Sequence, residues 1–95
     1  VRVLPISALH AAYASEVVSL LARRGVRAEV DRGDAPLARR IVSAHADRIP
    51  IVAIVGKRES ARRSIVLREP DGQQREVALD DAERLIALAC AAPAI

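Results

Sequence analysis

The chain has 95 residues, enough for one hydrophobic core and too few for two, so residues 1–95 are read as a single domain. Hydrophobic residues make up 52% of it with 4 Gly and 5 Pro, which excludes a disordered or collagen-like chain; the longest apolar runs are too short to cross a bilayer and no secretory h-region appears, so no membrane partner is expected. The net charge of +3 and pI near 10.0 suit a polyanionic partner, yet 12 acidic residues share the surface without any long basic run, so charge alone leaves the partner open.

Val1 to Ile6 reads as a short strand ending at a turn, after which Ser7 is placed to cap a helix from about Ala8 to Arg24. Its apolar residues Leu9, Tyr13, Val17, Leu20 and Leu21 recur at helical spacing, and Gly25 supplies the left-handed position that stops it. Val26 to Val30 forms a second strand, with Val26, Ala28 and Val30 on one face, and Asp31-Arg32-Gly33-Asp34 is its exit loop. Asp34 caps a second helix, Pro36 lies in its first turn, and Leu37, Ile41, Ala44 and Arg48 fall along one stripe until Pro50 forces an end.

Ile51-Val52-Ala53-Ile54-Val55 is a continuous β-branched run that fits a strand covered on both faces, the centre of the sheet, and Gly56 closes it. Two strand–helix–strand units in succession imply parallel strands with right-handed crossovers, whose carboxyl-end loops meet at one edge where functional residues are expected. Ser64 to Arg68, a Pro70-Asp71-Gly72 turn and Arg75 to Ala78 read as an antiparallel hairpin. A final helix begins at Asp80, with Glu83 in a capping-box-like position and Leu85, Ile86 and Leu88 as its buried face. The sum is an α/β domain of three layers: a five-stranded mixed sheet, three parallel strands plus the hairpin, with three helices.

Enzymatic chemistry finds no foothold in these residues. Ser7, Ser60, Ser64 and Cys90 lack a nucleophile-elbow setting, and Cys90, placed in an amphipathic terminal helix, is read as a small buried side chain in a reducing compartment. His10 and His45 are far apart without nearby ligands, so no metal is expected. Neither glycine-rich nucleotide fingerprint is present, so no cofactor is expected either. Gly56-Lys57-Arg58-Glu59-Ser60-Ala61-Arg62-Arg63 is the most concentrated polar stretch; it reads either as a solvated loop or as a ligand-facing one at the end of the central strand. Fourteen of the fifteen basic residues are Arg, a planar donor suited to phosphates and base edges, although genomic base composition gives the same bias. Tyr13 is the only aromatic residue and belongs to the core, so RNA recognition would rest on Arg planes and hydrogen bonds rather than aromatic stacking.

Several segments, from about Val3 to the last helix, resemble the anticodon-binding domain shared by threonyl-, prolyl-, histidyl- and glycyl-tRNA synthetases of class II. Val3-Leu4-Pro5-Ile6-Ser7 with His10 and Tyr13 looks like the threonyl form; Arg24-Gly25-Val26-Arg27-Ala28-Glu29-Val30-Asp31 is similar to the family's second strand, and Arg48-Ile49-Pro50 followed by Val55-Gly56-Lys57-Arg58-Glu59 to its third. The resemblance implies that Glu59 and Arg68, nine residues apart, together with Arg48 and Asp34, contact anticodon bases, with Arg32, Arg40, Lys57 and Arg58 as secondary RNA contacts. A carboxylate accepts from base N–H groups and a guanidinium donates to a guanine edge or a phosphate.

It further implies a tRNA partner with no DNA, a cytoplasmic location, and a separate catalytic domain in the same polypeptide that carries the ligase chemistry if the chain is a fragment. Departures gather where specificity should lie: Gly33, Asp34, Ala35 and Val42 replace an arginine, an asparagine, a glutamate and an arginine of the threonyl pattern. They motivate an alternative, a free-standing paralogue with altered or lost anticodon reading that acts as a protein-interaction or regulatory module; a prolyl or histidyl relative also remains open.

Overall fold

Alternation of Val3 and Leu4 onto opposite faces is what a strand between two helical layers requires. In a computed structural model, which describes residues 1–31, 35–49, 51–69 and 72–90 (the side chains of Ala89 and Cys90 excepted), both are fully buried in β1 (Arg2–Pro5). β1 pairs in parallel with β2 (Glu29–Val30) on one side and β3 (Val52–Val55) on the other. β4 (Ser64–Arg68) runs antiparallel to β3 and carries β5 (Gln74–Ala78) at its far edge. The order is therefore β2-β1-β3-β4-β5, with β3 at the centre as its β-branched run predicts.

Each face of the sheet has its own core. Val3, Ala53, Val55, Ile65 and Leu67 pack against Tyr13, Ala14, Val17 and Leu21 of α1 (Ala11–Arg23) and Leu79, Ala82 and Ile86 of α4 (Leu79–Cys90). Leu4, Val52 and Ile54 pack against Ala44, Leu37 and Ile41 of α2 (Leu37–Ala46). These are the three layers expected from the pattern. The Tyr13 hydroxyl donates to the Ser64 carbonyl at 2.7 Å, which lets an aromatic residue with a polar tip sit in an otherwise aliphatic core.

Element ends depart from the sequence reading for local reasons. Ala8–His10 is a 3-10 turn with no side-chain cap from Ser7; its tighter winding takes Leu9 off the α1 stripe and leaves it 88% exposed. At the other end Gly25 stands at φ +77, and the amides of Gly25 and Val26 return to the carbonyls of Ala22 and Leu21 at 3.0 Å, a Schellman stop. α2 closes the same way without glycine: Arg48, expected on the helix stripe, lies past the end at φ +59, with its amide on His45 and that of Ile49 on Ala44. The polar stretch after Gly56 is not a loop but a short helix, α3 (Lys57–Arg62), which raises the helix count from three to four. Six residues are too few to leave a readable period.

α4 starts at Leu79, so Glu83 lies beyond the capping position and instead accepts from the Arg24 Nε at 2.8 Å. Its core stripe is Leu79, Ala82 and Ile86; Leu85 and Leu88, expected inside, are 41% and 76% exposed because they sit one and two positions from Ile86 on a 3.6-residue period. α2 starts at Leu37 with Pro36 at its N-cap and no side-chain cap hydrogen bond, so the cap expected at Asp34 does not hold, and it ends at Ala46, ahead of Pro50 as expected; the Pro70-Asp71 turn and the burial of the Cys90 side chain lie outside the described residues. Among the described residues no helix is long and apolar enough to cross a membrane.

Candidate functional site

The two faces of the sheet are covered unequally. Period-two alternation puts Ser64, Val66 and Arg68 on the α2 side, and the hairpin register sets Ala78, Glu76 and Gln74 beside them. α2 packs over β1, so Gln74, Glu76 and Ala78 remain exposed, and Val66 and Arg68 half-buried. The register also aligns Glu29, Arg2, Val52, Arg68 and Gln74 in one row across all five strands. Within that row Arg2 is committed: Nε donates to Glu29 at 3.0 Å and Nη1 to Asp47 at 2.9 Å.

Arg68 is not. It has no carboxylate partner among the described residues, its Nε is buried without a hydrogen-bond partner, and its Nη2 lies 4.0 Å from where a Cβ on Gly72 would stand. Gly72, at φ +89, donates to the Glu69 carbonyl at 2.9 Å; its left-handed backbone, not space for the guanidinium, calls for glycine there. A buried donor without an acceptor is costly to maintain, and the Nε of Arg40 is left in the same state.

Glu59 sits in the first turn of α3, 7% exposed, with no hydrogen-bond or ion-pair partner among the described residues. A Cβ on Gly56 would fall 3.2 Å from its Oε1 and 2.6 Å from the Ile6 Cδ1, so the missing side chain at Gly56 is what admits both groups to the carboxyl-end edge. Glu59 and Arg68 therefore do not converge. Arg68 is level with Val52 at the start of β3, whereas Glu59 follows β3's end, a separation of about 13 Å along β4.

Arg48 is exposed just before β3, at the same edge as Arg68. Lys57 and Arg58 are exposed on α3. Arg40 is 6% exposed and its Nη2 donates to the Pro5 carbonyl at 2.7 Å, a clamp between α2 and β1 rather than a surface group. Asp34 and Arg32 lie outside the described residues, and Val42, one of the departures from the threonyl pattern, is exposed on α2.

Glu76 on this face had no signal in the sequence, and nothing there joined it to Arg62 of the polar stretch or to Ser64. The Glu76 carboxylate receives the Ser64 hydroxyl at 2.7 Å and faces Arg58 and Arg62 at 3.5 and 3.4 Å. The hydroxyl first, then the two guanidiniums, hold its pKa below the ordinary carboxylate value. These residues are 12 to 18 positions apart from α3 to β5, and only the antiparallel register joins them; alternation within β4 could have placed Ser64, Val66 and Arg68 on one side.

A small α/β/α domain that offers a polar, half-open sheet face rather than a cleft is the class this fold and site define. Residues 1–87 match the family described as the anticodon binding domain, and the chain belongs to that family. It is 38% identical over 68 residues to a threonine-tRNA ligase catalytic subunit of Metallosphaera sedula, a match covering 72% of this chain. Against the threonine-tRNA ligase of Clostridium perfringens it is 36% identical over 81 residues, 84% of the chain. In each case the match spans 13% of the relative's length; the chain is homologous to the C-terminal anticodon-binding domain of threonyl-tRNA synthetases.

Among solved structures, the RNA binding domain of threonyl-tRNA synthetase from Cryptosporidium parvum superposes with a TM-score of 0.86 at 25% identity, over 92% of this chain and 22% of that one. Histidyl-tRNA synthetase from Nostoc shares the fold with a TM-score of 0.86 at 22% identity, over 95% of this chain and 22% of that one.

Proposed function

We propose that this chain binds the anticodon arm of a tRNA, and that it does so in the cytoplasm as the anticodon-reading domain of a threonine-tRNA ligase whose catalytic part lies outside these 95 residues. The observation that carries the reading is the family match along residues 1–87 together with relatives that are threonine-tRNA ligases. The half-buried Arg68 guanidinium on the open face, without a carboxylate partner among the described residues, supports it, because such a fork donates to a guanine edge or a phosphate. Arg48 stands at the same edge and Glu59 at the opposite one, so the face would be spanned by successive nucleotides rather than by one base. No cofactor is needed for this role.

The test is binding of the chain to anticodon stem-loops for threonine, proline, histidine and glycine at two salt concentrations. A preference for the threonine loop that persists at the higher salt supports base reading; binding without preference that vanishes with salt refutes it, since phosphate contacts alone carry no sequence information.

A further inference from the structure

Among the described residues, four ion pairs join one cation to one acid, Arg24 with Glu83, Arg63 with Glu16, Arg75 with Glu69 and Arg84 with Asp81, and Arg2 bridges two acids. The cluster on the open face is different. Two guanidiniums, from the first and last turns of α3, converge on the same oxygen of Glu76, Arg58 at 3.5 Å and Arg62 at 3.4 Å. The other carboxylate oxygen is tethered by the Ser64 hydroxyl at 2.7 Å. Both arginines are more than half exposed, so solvent and solutes reach them. With one negative charge against two positive, the cluster keeps a surplus positive charge after its internal anion is counted.

A carboxylate and a phosphodiester present the same chemistry to such a fork, two oxygens sharing one negative charge. We propose that Arg58 and Arg62 form a phosphodiester subsite for bound RNA, and that Glu76, tethered by Ser64, is its occupant in the free chain and a competitor of the RNA backbone. The proposal rests on the reading of the chain as an RNA-binding domain. It adds a site next to the one that reading uses: Glu76 faces Val66 across the hairpin, and Val66 is two residues from Arg68 on the same face, about 6.6 Å along the strand. A strand of RNA crossing from Arg68 towards α3 would meet the subsite. Glu76 remains ionised throughout the neutral range, so the competition is permanent and sets a ceiling on non-specific affinity. It acts equally on every sequence, because a phosphate carries no base identity.

Glu76→Gln tests this, since an amide keeps the shape and can still accept from Ser64 while removing the competing charge. The chain and the variant are titrated with the four anticodon stem-loops across a salt series, with urea midpoints confirming that both are folded. The expected result is affinity about three- to tenfold higher at low salt, by the same factor for every loop. The salt slope should steepen by about 0.7, the share of one phosphate on a single strand. Adding Arg58→Ala and Arg62→Ala to Glu76→Gln should erase both changes.

Unchanged affinity and slope in Glu76→Gln, or a gain that survives loss of the two arginines, would overturn the proposal, as would failure of both proteins to bind. Loop preference, by contrast, reports on anticodon reading; a common gain without preference would leave the subsite standing and remove that reading.

Discussion

Arg48 and Arg63 both adopt left-handed backbone conformations, at φ +59 and +53, where an L side chain costs about 1–2 kcal/mol. Glycine relieves that strain but gives back about 0.4–1 kcal/mol through the greater freedom of the unfolded chain. At Arg48 the side chain is exposed and no ion pair among the described residues is lost. Arg48→Gly should therefore stabilise the domain by about 0.5–1 kcal/mol, raising Tm by about 2–8 °C for a domain of this size.

At Arg63 the same change also removes an ion pair with Glu16 and a guanidinium lying over the Tyr13 ring at 5.7 Å, together worth about 0.5–2 kcal/mol. Arg63→Gly should be neutral to destabilising. Urea and thermal unfolding of both variants supply the comparison. Equal gains, or a loss at Arg48, would show that the left-handed strain is not what separates the two sites. If Arg48 contacts RNA, the stabilised variant should also bind the stem-loop more weakly, the opposite sign for stability and for function that strain retained at a working residue produces.

Arg68→Ala should lower affinity for the anticodon arm by about 1–3 kcal/mol if the guanidinium meets a base edge, or reduce the salt slope by about 1 if it meets a phosphate. Arg84→Ala, whose partner is Asp81 on the same helix, should do neither; equal losses would mean diffuse electrostatics. Ile86→Ala should cost about 2–5 kcal/mol of stability and Leu88→Ala within about 0.5 kcal/mol, and the reverse order in urea midpoints would place the wrong face of α4 inward. Burial, the largest influence on Tyr13, raises its pKa above 10.0, so the unfolded chain loses its phenolic proton first. Tyr13's contribution to stability is complete below about pH 10 and declines as pH rises through the folded value. Tyr13 is the single tyrosine, so phenolate absorbance reads it directly, and a titration at or below the ordinary value would contradict the buried hydrogen bond to Ser64.

Much of the fold was legible in one dimension because the signals were local. The β-branched run ending at Val55 fitted a strand buried on both faces, Gly25 fitted a helix stop, and the hairpin followed from the apolar run before the Pro70-Asp71-Gly72 turn sequence and the short segment after it. Local signals also misled where a turn's winding decided the outcome: Leu9 and Leu88 had helical spacing but not the correct phase, since phase is set by where the helix starts and by what it packs on. α3 was too short to show a period at all.

The candidate site divides along the same line. The residue types, their order and the family resemblance were properties of the sequence, and they singled out Glu59, Arg68 and Arg48 before any coordinates. What they could not contain was distance. Only the sheet register decided that Arg68 lies at one end of β4 and Glu59 at the other, that Arg40 is spent on the Pro5 carbonyl, and that Glu76 reaches back to Arg58 and Arg62. The reason is physical: periodicity fixes which face a residue occupies, while pairing between strands distant in sequence fixes which residues on that face become neighbours.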